Sequence, residues 1–402
     1  MRCAHKALSV LAIPLLVLPY LLSGSVHASD ERTLVEDNSA FAFELYQKLR
    51  IAADNVFFSP YSISTALAMT YAGARGKTAS QMREGMHLSL QQDKIHPAFS
   101  NLQTKLKNVQ QKGNVELLIA NSLWPSNRYP IRQEFLSLIK TVYEADITAL
   151  DYLRQTEKAR QTINEWVEDK TRDKIKEAIG PGLLDKETRL ALVNAIYFKG
   201  NWEGQFDEED TQDDSFKTSR KKTVTIPMMH QEGDFGYWAD ENLQILEMPY
   251  AGEDLSMLVL LPKDGDGLPE LESNLTSKNL REWTSELREQ EVDVWFPKFK
   301  LEYAFGLEEA LKAMGMIDAF SDDADFSGME ETRELYISAA LHKAFIEVNE
   351  EGTEAAGITG IVMERTSIVI NPQFRADHPF VFLIQEKQTG SIVFMGRMND
   401  PS

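Results

Sequence analysis

The run NEEGTEAAGITGIVMERTS at positions 349–367 fits two structural descriptions that normally exclude each other, and any fold for this chain has to accommodate both. Thr353, Ala355, Ala356, Gly357, Thr359 and Gly360 are small and uncharged and stand among no bulky anchors, as suits an exposed loop that nothing holds down. Read at period two, one face carries Thr353, Ala355, Gly357, Thr359, Ile361 and Met363 without a charge, while Glu354 and Glu364 fall on the other. That is a strand with one buried and one solvated side. A segment able to be both is a loop that can enter a sheet as an extra strand, and so a stored conformational switch.

The first 28 residues read as a cleavable secretory signal peptide. Arg2 and Lys6 give a basic start, residues 7–22 are almost wholly apolar, and Val26-His27-Ala28 supplies a small-residue cleavage site. The apolar run contains Pro14 and Pro19 and is shorter than the ~20 residues of a membrane helix, so the mature chain is expected to begin near Ser29 and to have no membrane partner. The chain's one cysteine, Cys3, would leave with the leader, which removes disulfide and thiol chemistry. About 370 residues can bury a core that stands without cross-links. A formal net charge of −20 argues against nucleic acid and anionic membrane surfaces as partners.

No linker rich in Pro, Gly or Ser and no internal repeat divides the mature chain, so residues 29–402 are read as one domain. Apolar spacings near 3.6 predict helices at 39–49, 60–73, 80–88 and 162–175. Short β-branched or aromatic runs bounded by Gly, Pro or Asp predict strands at 192–198, 255–261 and 291–299, in a region beyond about residue 185 where strands dominate. Helices first and strands later imply an α+β fold in which helices cover mostly antiparallel sheets.

The inventory for enzyme chemistry is thin. The seven histidines make no pair at metal-ligand spacing, and there is no Gly-x-Ser-x-Gly elbow and no phosphate-cradling glycine loop, so neither a metal nor a cofactor is expected. Ser59, Ser62, Asn194 and His342 each stand in an otherwise apolar segment where a polar group needs a partner.

Seven segments, in order over about residues 35–401, carry a family resemblance: NVFFSPYSIS (55–64), LVNAIYFKGNW (192–202), FPKF (296–299), LHKA (341–344), EEGTEAAG (350–357), DHPFVFL (377–383) and FMGR (394–397). Together they closely resemble the serpins, the serine protease inhibitors, and the 350–357 run resembles the hinge of the inhibitory type. The resemblance implies the serpin fold, metastable and monomeric, with a reactive-centre loop at about 350–372 and a hinge made of Glu350, Gly352, Thr353, Glu354, Ala355, Ala356 and Gly357. It implies that Ser59, Ser62, Asn194 and His342 form a hydrogen-bonded cluster under the centre of the main sheet, without substrate access, and that Trp202 sits at the top where insertion starts.

The implied activity is protease inhibition by a suicide substrate, not enzyme catalysis, and the implied partner is a trypsin-like, elastase-like or subtilisin-like serine protease. Counting fourteen residues on from Gly352, the commonest serpin loop length, puts the scissile bond at Thr366-Ser367, which suits a protease with a small pocket. Arg365 is the only Arg or Lys between Lys343 and Arg375, which leaves Arg365-Thr366 open as a trypsin-like site and leaves open equally that Arg365 only solubilises the loop. Some serpins bind glycosaminoglycans near Lys105, Lys107 and Lys112; here a solvated helix face is the preferred reading. A non-inhibitory carrier or chaperone is the alternative function, although such serpins usually spoil the hinge with charged or bulky residues, unlike Thr353, Ala355 and Gly357 here.

Overall fold

The computed structural model describes residues 18–51, 55–352 and 371–402, with 18–28 as backbone alone. The hinge from Thr353 through Gly357 and the candidate bonds at Arg365, Thr366 and Ser367 lie outside these residues, as does the leader up to residue 17. In chain order the helices are α1 (Leu18–Leu49), α2 (Pro60–Gly73), α3 (Gly76–Gly85), α4 (Gln92–Gln111), α5 (Gln133–Leu138), α6 (Tyr152–Lys170), α7 (Leu268–Asn274), α8 (Ser277–Ser285) and α9 (Glu308–Ala313). The strands are β1 (Val56–Phe58), β2 (Val115–Pro125), β3 (Asp146–Ile147), β4 (Leu190–Gly200), β5 (Gln212–Lys217), β6 (Thr223–Ala239), β7 (Leu243–Pro249), β8 (Leu255–Pro262), β9 (Arg288–Pro297), β10 (Phe299–Gly306), β11 (Ile337–Val348), β12 (Gln373–Arg375), β13 (Phe380–Glu386) and β14 (Ser391–Met398).

Two sheets organise these elements, in an α+β architecture with mostly antiparallel pairing, as the sequence predicts. The larger runs β1-β14-β13-β8-β7-β6-β9-β12, with β5 on β6. Within it β8 is buried along its full length, which is why residues 257–261 read as a continuous apolar run rather than as alternation. The smaller sheet runs β10-β11-β4-β2-β3. Leu190, Leu192, Ile196 and Phe198 of β4, with Ala340, Ala344 and Ile346 of β11, face the main core. Ala191, Val193, Ala195 and Tyr197, with Ala339 and Leu341, face a second core closed by Tyr152, Ile163 and Val167 of α6 and by Ile175, Ile179 and Leu184 beyond it.

Helix α2 begins where the sequence places it. Ser59 caps it, its Oγ accepting from the Ser62 N–H (3.1 Å), and Pro60 takes the first turn, where its missing N–H costs nothing. Elsewhere the boundaries differ for local reasons. Helix α3 stops at Gly85 because the chain turns through His87 at φ +56°, and α6 starts at Tyr152 because Asp151 caps it (Oδ1 to the Arg154 N–H, 3.1 Å). It ends at Lys170 because Arg172 and Asp173 adopt φ of +50° and +61°. The single strand predicted at 291–299 is two, β9 and β10, separated at Lys298. Helix α1 contains the predicted 39–49 helix and continues without a break through position 28. No helix among the described residues is long and apolar enough to cross a membrane.

Candidate functional site

At the centre of the smaller sheet β4 and β11 run parallel, paired from Leu190 and Ile337 to Tyr197 and Phe345. Beyond Val348 the chain makes a turn closed by Asn349 and Gly352, whose backbone groups bond reciprocally at 3.0 and 3.1 Å. This turn lies against the end of β4. The Trp202 N–H donates to Glu351 O and the Phe206 N–H to Glu350 O, both at 2.9 Å, and Gly352 forms an antiparallel bridge with Asn201. Gly352 has φ +118°, and a Cβ there would overlap the Gly200 carbonyl oxygen and the Trp202 nitrogen, so only glycine fits.

Trp202 fixes the turn from one side: its indole N–H donates to Asn349 O (3.0 Å) and its ring stacks on Tyr250 with centroids 4.6 Å apart. Glu350 fixes it from another. Its buried carboxylate accepts from Lys298 Nζ (2.7 Å) and Thr211 Oγ1 (2.9 Å). Burial pushes the Glu350 pKa up, but the hydrogen bonds from Lys298, its own backbone N–H and Thr211 outweigh burial and hold it below the usual carboxylate range.

Further along the same strands a polar row crosses the sheet, with His342, Asn194 and Asn121 in register on β11, β4 and β2. His342 Nε2 accepts from the Ser59 N–H (3.1 Å), which assigns the ring proton to Nδ1 and its bond to Asn194 Oδ1. Asn194 Nδ2 donates to Ser62 Oγ (2.5 Å) and to Asn121 Oδ1, and Asn121 Nδ2 donates to Ser62 O (3.3 Å). The structure thus brings Ser59, Ser62, Asn194 and His342 together, and adds Asn121. Asn121 was missed although it carries the same signal, a lone amide in the apolar run VELLIANSLWP.

This cluster is not a nucleophilic site. Ser59 Oγ donates to Val393 O (2.6 Å) rather than to an imidazole, and His342 meets the Ser59 amide instead of its hydroxyl. All four predicted members are buried. Burial pushes the His342 pKa down to about 3, so the ring stays neutral near pH 7. Among the described residues no three of His, Cys, Asp and Glu group to hold a metal. Lys105, Lys107 and Lys112 each meet a carboxylate, of Glu31, Glu144 and Asp254 respectively, which neutralises that helix face.

A family model described as Serpin (serine protease inhibitor) matches residues 36–401. The chain belongs to the serpin family. The leukocyte elastase inhibitor of Bos taurus is 43% identical to this serpin over 374 residues, covering 90% of this chain and 98% of the relative. Among solved structures, uncleaved ovalbumin superposes with a TM-score of 0.84 at 33% identity, over 92% of this chain and 100% of ovalbumin. Human thyroxine-binding globulin complexed with thyroxine superposes with a TM-score of 0.85 at 33% identity, over 93% and 100% of the two chains. The relatives tie this serpin to protease inhibition, not to an enzyme activity. Their names say nothing of export, which rests on residues 1–28 alone.

The buried neutral histidines make the serpin acid-sensitive in a predictable direction. His342 titrates near 6.5 when unfolded and at about 3 when folded, so between these values the unfolded chain holds the extra proton and stability falls as pH falls. His96, pushed down to about 4 by burial, acts with the same sign. Each should remove up to ~1.4 kcal/mol per pH unit below about 6.5. Urea unfolding measured from pH 7 to 4.5 should show this slope, reduced in His342→Gln; an equal slope in the variant would contradict the assignment.

Proposed function

We propose that this serpin is a suicide substrate for serine proteases, trapping the acyl-enzyme by inserting its cleaved loop between β4 and β11. One observation carries the reading: β11 leads into a turn that already bridges antiparallel to Asn201 at the end of β4. A strand continuing from that turn would run antiparallel to both neighbours, exchanging one parallel pair for two antiparallel ones. Residues 353–363 are the inserting strand. Glu350, Gly352 and Trp202 act as the hinge, and Ser59, Ser62, Asn194 and His342, with Asn121, as the polar row whose His342–Asn194 bond must part to admit it.

Chain length explains why cleavage comes first. β12 pairs with β9 from Gln373–Asp293 to Arg375–Trp295, and Lys298, just beyond β9, holds Glu350, so both ends of the loop are fastened to one stretch of chain. A strand of residues 353–363 spans about 37 Å. Residues 364–370 reach back at most about 25 Å, too little while β12 stays paired. Cutting at Thr366-Ser367, or at Arg365-Thr366, removes the tether. Insertion of about eleven residues at a net ~0.5–1.5 kcal/mol per hydrogen bond gives a driving force on the order of 10 kcal/mol, comparable with the stability of a domain. The uncut form is accordingly metastable and kinetically protected.

The target is an elastase-like or subtilisin-like protease if the bond is Thr366-Ser367 and a trypsin-like one if it is Arg365-Thr366. The protein acts as a monomer, exported and cut after Ala28, with no cofactor, as a single domain of residues 29–402. Sequencing the C-terminal fragment released from a protease complex should give a start at Ser367 or Thr366; a start before Met363 or after Ile370 would move the loop.

The second reading is a carrier, by likeness to thyroxine-binding globulin. Thr353, Ala355 and Gly357 on the inserting face speak against it. A panel of trypsin-, elastase- and subtilisin-like proteases on a denaturing gel decides: an inhibitor gives a covalent complex with at least one, and a carrier is cleaved without complex.

A further inference from the structure

We propose that the Tyr250 hydroxyl and the Asn349 side-chain oxygen are positioning groups that bias the top of the smaller sheet toward opening, because the closed form buries both without hydrogen-bond partners. The inference rests on the insertion mechanism above and names what makes its first step easy. Tyr250 has no exposed surface and is enclosed by aromatic rings, Trp202 stacked at 4.6 Å and Phe198 edge-on at 5.0 Å. Among the described residues neither Tyr250 Oη nor Asn349 Oδ1 finds a partner. Trp202 links them, its ring on Tyr250 and its indole N–H on the Asn349 carbonyl.

A polar atom sealed from water without a replacement bond destabilises the state that seals it. Here that state is the closed one, because lifting the turn off β4 or sliding Trp202 from Tyr250 lets water or the backbone of an entering strand reach both atoms. The contrast within the same molecule is Tyr152, equally buried, whose hydroxyl donates to Trp124 O (2.9 Å) and is satisfied.

Tyr250→Phe deletes the one oxygen and keeps the ring. In the full chain, melted uncut and after loop cleavage, it should raise the uncut midpoint by about 1–4 °C and leave the cut form's unchanged or lower. It should also shift the products with a trapped protease from covalent complex toward cleaved serpin. Asn349→Leu should act in the same direction, and Tyr152→Phe should lower both midpoints. An uncut Tyr250→Phe form that melts at or below wild type, or an equal rise in both forms, would overturn the proposal. Failure of the wild type to trap any protease would instead refute suicide inhibition, and that result is read separately from the melting shift.

Discussion

Thr353→Arg should convert this serpin from an inhibitor into a substrate. Thr353 heads the uncharged face of the proposed inserting strand, so insertion would bury an arginine there unpaired at its first step, at a cost of several kcal/mol. Recognition is untouched, because the candidate bonds lie more than ten residues away. Each 1.4 kcal/mol added to the insertion barrier shifts the competition with acyl-enzyme hydrolysis tenfold toward hydrolysis. Against a protease that wild type traps, covalent complex should fall at least about tenfold while cleaved serpin accumulates. Glu354→Arg, on the solvated face, should trap nearly as well as wild type. Equal yields from Thr353→Arg and wild type would contradict the burial of that face.

Gly352→Val is the second large effect, and it acts on the uncut form. The residue sits at φ +118°, which a β-branched side chain scarcely adopts, and its Cβ would overlap the Gly200 carbonyl and the Trp202 nitrogen. Backbone strain of about 1–3 kcal/mol adds to loss of the Trp202–Glu351 bond and the bridge to Asn201. Thermal unfolding of uncut Gly352→Val should show a midpoint several degrees below wild type, with Gly352→Ala between the two. Trapping should decline as well, since the hinge loses its freedom. A wild-type midpoint in Gly352→Val would mean that the turn does not rest on β4 as described.

How much of this was legible in the sequence depended on whether the signal was local. Ser59 and Pro60 announce α2 by capping chemistry, and α2 starts there. Asn194 and His342 stand out as polar residues in apolar runs, and they do share a hydrogen-bond network. Asn121 carries the same signal, yet β2 packs against both cores, and a strand buried on both faces shows no alternation to mark it. The Lys298–Glu350 ion pair joins residues 52 apart, and the unpartnered Tyr250 hydroxyl depends on enclosure by Phe198 and Trp202; neither has a sequence period. The parallel pairing of β4 with β11 is likewise a fact of topology. The alternation from Thr353 onward is a pattern of the sequence that falls outside the described residues, and the hinge role proposed for it rests on that pattern and on the turn at Gly352.

The most direct test of loop insertion is to cut the loop and melt the product. The serpin should be nicked within residues 353–370 by a protease it does not trap, the two fragments left associated, and thermal unfolding compared with the uncut chain. Insertion worth on the order of 10 kcal/mol predicts a cut form that melts at least about 10 °C above the uncut one. A cut form that melts at or below the uncut midpoint would contradict insertion between β4 and β11.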